Sequence, residues 1–160
     1  DAVKSASQAH HFLAVTKSGK SAIASTTGND DCHIILRGGK STNYDASSIE
    51  AACAEATKSG SRPVVMVDAS HANSSKQPEN QPLVAEAIAA QMEAGDRRII
   101  GVMIESNLVA GRQDLVPGRP LTYGQSITDG CIDWETSVAV LDRLAAAVAG
   151  RRRATGQLVA

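Results

Sequence analysis

The sequence predicts an α/β fold, with parallel strands covered by helices, and three observations predict it. Short apolar runs rich in β-branched residues occur at 32–36, 64–67 and 99–104. Each is followed by a segment of helical periodicity, and alternation of this kind gives parallel strands with helical crossovers. The conspicuous polar residues also collect directly after the apolar runs, at the strand ends where parallel α/β sheets hold their ligands.

Ahead of the first run, 12–16 and 21–26 read as extended stretches joined by 17–20, which predicts a β-hairpin over 11–29. Between the first and second runs, Ile49, Ala52, Cys53 and Ala56 fall at i, i+3, i+4 and i+7. Asp45 or Ser47 is available as N-cap, and Gly60 lies just past the end. Between the second and third, Val84, Ile88 and Met92 repeat at i+4 and Gly95 closes the segment. After the third, Trp134, Val138, Leu141, Ala145 and Val148 form an apolar stripe. Asp133 opens it as N-cap and Arg151, Arg152 and Arg153 suit the negative helix end.

The expectation is one domain over 1–160, made of the hairpin and β-α units at 32–60, 64–95 and 99–150. Three strands cannot close a (β/α)8 barrel, which takes roughly 250 residues. The chain is therefore either a small open sheet or a piece of something larger. It opens at Asp1 without an initiator Met, which predicts a fragment or a processed product. The irregular stretch from Asn107 to Gln125 has the character of a functional loop.

Composition narrows the function classes. Sixteen basic residues are offset by 17 acidic ones, giving a net charge of -1, and aromatics make up only 2% of the chain. A broad positive field and stacking platforms for bases are both lacking, so no nucleic-acid partner is expected. No run approaches the length of a membrane span and no secretory signal opens the chain, so no membrane partner is expected and a cytoplasmic location follows. Cys32, Cys53 and Cys131 are odd in number and lack C-x-x-C spacing, which predicts reduced thiols.

The first apolar run ends in Arg37-Gly-Gly-Lys40, a guanidinium fork beside approachable backbone amides and so a phosphate site in outline. A capped strand end with a solvated Arg explains the same residues. His71, Glu105 and Asp129 follow successive segments and offer an imidazole and two carboxylates, a donor set for a divalent ion such as Mn, Fe, Zn or Co. Alone, each has an ordinary structural explanation; together on one rim they favour a metal. Asn73, Ser74, Ser75 and Lys76 can donate to phosphate or simply form turns. Were 129–131 extended, Cys131 would face the same way as Asp129.

At these residues the chain resembles class I 3-deoxy-D-arabino-heptulosonate 7-phosphate (DAHP) synthase. The resemblance is carried by Gly28-Asn29, the 32–40 segment ending Leu36-Arg-Gly-Gly-Lys40, Asn43-Tyr44, Asp68-Ala-Ser-His71-Ala-Asn-Ser-Ser-Lys76-Gln77, Ile99 to Ser106, and Leu121 to Asp129 with Cys131 and Trp134. It implies the C-terminal part of a (β/α)8 TIM barrel, in which three β-α units follow an inserted β-hairpin. It implies condensation of phosphoenolpyruvate with erythrose 4-phosphate, His71, Glu105 and Asp129 as metal ligands, and Arg37 on the phosphate of phosphoenolpyruvate. Lys40 and Lys76 join Arg37 as substrate-binding residues, and Asp129 also meets the sugar. The family's cysteine ligand on the first barrel strand, its Lys-Pro-Arg-Thr motif and its strand-five lysine are not in this chain. The isolated chain is therefore expected to be inactive and to need the N-terminal half of the barrel. A homo-oligomer and an aromatic amino acid effector near Phe12, Ala14 and Ala24 are further implications. Two rivals stand beside this reading: a non-catalytic half-barrel module that binds a phosphorylated metabolite or a partner subunit, and a barrel that uses a different aldose phosphate.

Overall fold

A computed structural model of the chain describes residues 2–154 and 156. Asp1, Thr155 and residues 157–160, the extremities of the expected 1–160 domain, lie outside the described residues. A short helix α1 (Ala2–Ala6) precedes an antiparallel hairpin of β1 (His11–Val15) and β2 (Ser21–Ser25). Its register pairs Phe12 with Ala24 and Ala14 with Ala22, so Phe12, Ala14 and Ala24 share one face. Leu13, Val15 and Ile23 occupy the other face and are exposed.

The centre is a parallel sheet of β3 (Ile34–Leu36), β4 (Val65–Asp68) and β5 (Ile99–Met103), in that order. The mixed α/β class expected from the alternating pattern is the class observed. Leu36, Val67 and Val102 lie in register on the face covered by α2 (Ala46–Lys58), α3 (Gln81–Glu93) and α4 (Trp134–Ala154). Ile49 and Cys53 from α2, Val84, Ile88 and Met92 from α3 and Ala147 from α4 complete this core. Ile35, Met66 and Gly101 line up on the opposite face, where Ile35 is 53% exposed. A methyl group at Gly101 would come within 2.9 Å of the Met66 side chain, so this row is already closely packed.

The caps follow their chemistry. Asp45 opens α2 by accepting the Ser48 N–H at 2.9 Å. Asp133 accepts the Thr136 N–H at 2.9 Å ahead of α4. In α4, however, the buried face matches the predicted stripe only at Val148, which packs against the main core. Trp134, Val138 and Leu141 are exposed, whereas Ser137, Val140 and Ala147 are buried. Close approach of α3 and α4 selects small side chains, with Ala85 and Val140 in one cluster and Ala89 and Ala147 in another. Burial of Ser137 is tolerated because its hydroxyl donates to the Asp133 carbonyl at 2.6 Å.

The stretch read as an irregular loop contains two short strands, β6 (Val109–Arg112) and β7 (Gln125–Ser126), paired parallel. The Gln113 side chain ties the segment between them. Its amide donates to the carbonyls of Thr122 and Gln125 at 2.8 and 2.9 Å, and its oxygen accepts the Thr122 N–H at 2.8 Å.

Candidate functional site

Parallel strands point their carbonyl ends the same way, so the residues that follow β3, β4 and β5 share one rim. Beyond β3, Gly38 adopts φ +74°, and a Cβ there would meet the Ala72 Cβ at 2.7 Å. Only glycine lets the post-β3 loop lie this close to the post-β4 loop. Asn73 stitches the same two loops. Its amide donates to the carbonyls of Leu36 and Asp68 at 3.1 and 2.8 Å, and its oxygen accepts the Asn43 N–H at 2.8 Å. Asn73 and Ser74 are buried, so of the two roles left open for the 73–75 segment these two residues take the structural one.

The loop after β4 is conformationally unusual. His71, Ser75 and Lys76 have φ of 48°, 56° and 59°, a region that non-glycine residues seldom occupy. Such conformers cost about 1–3 kcal/mol and persist when their surroundings hold them. Here the Lys76 N–H donates to the His71 carbonyl at 2.8 Å, and the Asn80 amide donates to the Ser74 carbonyl at 3.1 Å.

The result is a cavity of about 270 Å³ lined by Arg37, Ser70, His71, Lys76, Pro78, Glu105, Asp129 and Gly130. Each of His71, Glu105 and Asp129 presents a ligand atom to it, and the three atoms lie within 4.8 Å of one another. His71 Nε2 is 3.8 Å from Glu105 Oε1. Two bonds of about 2.1 Å to a common centre place their ligand atoms roughly 3–4 Å apart, so this pair is spaced for a shared cation. The remaining atoms are engaged elsewhere. His71 Nδ1 lies 2.7 Å from Asp68 Oδ2, and Glu105 Oε2 accepts the Ser70 hydroxyl at 2.7 Å. Imidazole and carboxylate therefore each keep one atom for the cavity, and the donor set fits a divalent ion.

Arg37 and Lys76 bring positive charge to the same cavity, opposite in sign to the carboxylates. Lys40 is exposed and is not among the residues lining it. Asp129 lies in a bend and Cys131 in an isolated bridge to Gly111, so 129–131 is not a continuous extended segment, and Cys131 is not among the residues lining the cavity. The Cys131 thiol donates to the Asp129 carbonyl at 3.6 Å and lines a neighbouring cavity with Pro78, Pro82 and Ile132. Burial pushes this thiol above its ordinary pKa, and the nearby Glu105 and Asp129 charges add to the rise.

Three contributors escaped the reading of the sequence. Asp68 and Ser70 stood inside a quoted motif without a role. Gln81 gave no signal, yet it is fully buried and its amide clamps the Glu105 backbone, accepting its N–H at 2.8 Å and donating to its carbonyl at 3.0 Å.

Comparison with known proteins bears on the arrangement. The family model for the DAHP synthetase I family matches residues 1–142. Phospho-2-dehydro-3-deoxyheptonate aldolase of Haemophilus influenzae is 56% identical over 156 residues, covering 97% of this chain and 43% of that protein. The Phe-sensitive phospho-2-dehydro-3-deoxyheptonate aldolase of Escherichia coli K12 is 52% identical over 152 residues, with 95% and 43% covered. A solved structure of phospho-2-dehydro-3-deoxyheptonate aldolase from Francisella tularensis SCHU S4 superposes with a TM-score of 0.88 at 48% identity, covering 94% of this chain and 44% of that one. The chain thus spans less than half the length of the curated relatives it matches. With a matching family model over most of its residues and a donor cluster on the expected rim, this chain belongs to the DAHP synthetase I family.

Proposed function

We propose that this chain is the C-terminal part of a (β/α)8 barrel, with the hairpin as an insertion and units 32–60, 64–95 and 99–150 as its last three β-α repeats. The full-length protein condenses phosphoenolpyruvate with erythrose 4-phosphate and releases DAHP and phosphate. What carries this reading is the single cavity in which His71, Glu105 and Asp129 meet beside Arg37 and Lys76.

His71, Glu105 and Asp129 would hold a divalent ion of the Mn, Fe, Zn or Co class. When bound, such an ion supplies Lewis-acid polarisation of the aldehyde. The chain's own groups do the rest of the positioning. Arg37 offers a planar fork to the phosphate of phosphoenolpyruvate and Lys76 adds mobile ammonium charge, while Lys40, exposed outside the cavity lining, remains a proposed substrate contact only through the family resemblance. Asp129, exposed on the cavity wall, is also placed to accept from sugar hydroxyls. The overall balance is attack of C3 of phosphoenolpyruvate on the aldehyde carbon, addition of water at C2 and departure of phosphate.

The hairpin face bearing Phe12, Ala14 and Ala24 supports an aromatic amino acid effector site in a homo-oligomer, and the E. coli relative is described as Phe-sensitive. Among the described residues no helix is long and apolar enough to cross a membrane, which agrees with a cytoplasmic enzyme.

The test is turnover by the full-length protein with added divalent metal, compared with that of the 160-residue chain alone. The expected result is DAHP formation by the former only. Failure of the full-length protein to consume phosphoenolpyruvate would favour the non-catalytic binding module, and turnover by the short chain would show that the earlier strands are dispensable.

A further inference from the structure

We propose that Asp68 is a positioning residue that fixes the tautomer and aim of His71, so that the bare Nε2 faces the cation. The inference rests on the metal reading above and deepens it.

Asp68 is the last residue of β4 and is only 2% exposed. Both carboxylate oxygens are committed. Oδ1 accepts the Ser70 N–H at 2.8 Å and Oδ2 faces His71 Nδ1 at 2.7 Å. A carboxylate only accepts, so the imidazole proton belongs on Nδ1 and the lone pair on Nε2, the atom 3.8 Å from Glu105 Oε1. His71 has a left-handed backbone, and its ring meets Asp68, three residues earlier, through Nδ1. Ser70 couples the two ligands, since its N–H holds Asp68 while its hydroxyl holds Glu105 Oε2. A histidine ligand whose second nitrogen donates to a buried carboxylate is both oriented and made more basic, and loss of the partner lowers metal affinity 10–100-fold as a rule.

A plain loop-clamp role would use the same hydrogen bonds, and Asp68→Asn separates the two. The amide is nearly isosteric and its oxygen can still accept from Ser70. Its NH₂ then faces Nδ1, which must accept, and the imidazole proton moves to Nε2. Mn²⁺ affinity of the full-length apoprotein, measured by the electron paramagnetic resonance signal of free Mn²⁺, is expected to fall 10–100-fold in the variant. Circular dichroism and the apoprotein melting temperature are expected to stay unchanged. Equal affinity in a folded Asp68→Asn protein overturns the inference and leaves the metal reading standing. Absence of binding in wild type overturns the metal reading and this inference with it. Should the variant fail to fold, imidazole ¹⁵N shifts of wild-type apoprotein decide, the His71 signals being assigned by their loss in His71→Gln. With the ring neutral, a proton on Nδ1 and a bare Nε2 support the assignment, and a neutral ring with its proton on Nε2 overturns it.

Discussion

At the C-terminal rim of the parallel sheet, Arg37, His71, Lys76, Glu105 and Asp129 turn charge into a shared cavity. At the N-terminal rim, charge is spent on the protein itself. Arg98 lays its fork on Asp96, Nε to Oδ1 at 3.0 Å and Nη2 to Oδ2 at 2.8 Å, and also reaches Glu50 on α2. Arg151 of α4 donates to the carbonyls of Asp96 and Ile99 at 3.0 and 2.8 Å. Asp96 is accordingly held below its usual carboxylate pKa, with the Arg98 hydrogen bonds as the main cause and burial opposing. The same residue types thus do different work at the two ends of three strands. One rim leaves ligand atoms open for an incoming group, whereas at the other Arg98, Asp96 and Arg151 close on protein partners and tie α2 and α4 to the sheet.

The sharpest way to break this contrast is His71→Ala in the full-length protein. It removes a ligand atom from the open rim and touches none of the closed one. Cation affinity is expected to fall at least about 100-fold, more than for a change in an outer partner, and the metal-free melting temperature to fall as well, because buried Asp68 Oδ2 loses its His71 partner. Titration of Mn²⁺ into both proteins checks this, and an unchanged affinity would place the metal elsewhere.

Why one rim could be read from the sequence and the other could not follows from locality. Arg37 is the residue after β3, and His71 and Glu105 stand a few residues beyond β4 and β5, so the apolar runs themselves pointed at them. Asp96 and Arg98 lie between an apolar run and a helix with nothing in the pattern to mark them, and their ties to α2 and α4, through Glu50 and Arg151, join residues about fifty positions apart. Separation in sequence, here 24 residues, also hid Gln81, whose clamp on Glu105 depends on where α3 starts relative to β5. In α4 the larger side chains dominated the apolar count, but proximity to α3 favoured Ser137, Val140 and Ala147. The β6–β7 pairing was invisible for a related reason: strands this short are held by the Gln113 side chain and not by their own pattern.

Arg98→Ala sharpens the contrast from the opposite side, with a smaller effect. It leaves Asp96, 13% exposed at its side chain, without its fork. Charge-assisted hydrogen bonds contribute about 1.5–3 kcal/mol each when enclosed, and part of this is lost to solvent because Arg98 is 32% exposed. A loss of about 1–2 kcal/mol in urea unfolding is expected, with cation affinity unchanged. A fall in affinity together with stability would mean that the two rims are coupled through β5.

The smallest effect is expected at the α2 cap, where charge also serves stability but at the open rim's side of the helix layer. Asp45 Oδ2 accepts the Ser48 hydroxyl at 2.7 Å, and the carboxylate also takes the Ser48 N–H and the Ser47 hydroxyl. These hydrogen bonds, Ser47 first, pull its pKa far below the usual carboxylate range. The sign follows from linkage. A carboxyl whose native pKa is depressed contributes fully above its unfolded value, about 3.9. The contribution starts to fade as pH drops past that value and is lost only once pH has fallen through the native one. Asp45→Ala should lower stability at pH 7 by about 1 kcal/mol. Asp45→Asn, which keeps an acceptor but no charge, should lose less at pH 7 and show a shallower decline than wild type between pH 5 and pH 3. Parallel wild-type and Asn curves over that interval would mean that the cap acts through its geometry alone, and that ionised side chains matter to this fold chiefly at the Asp96 end of the sheet.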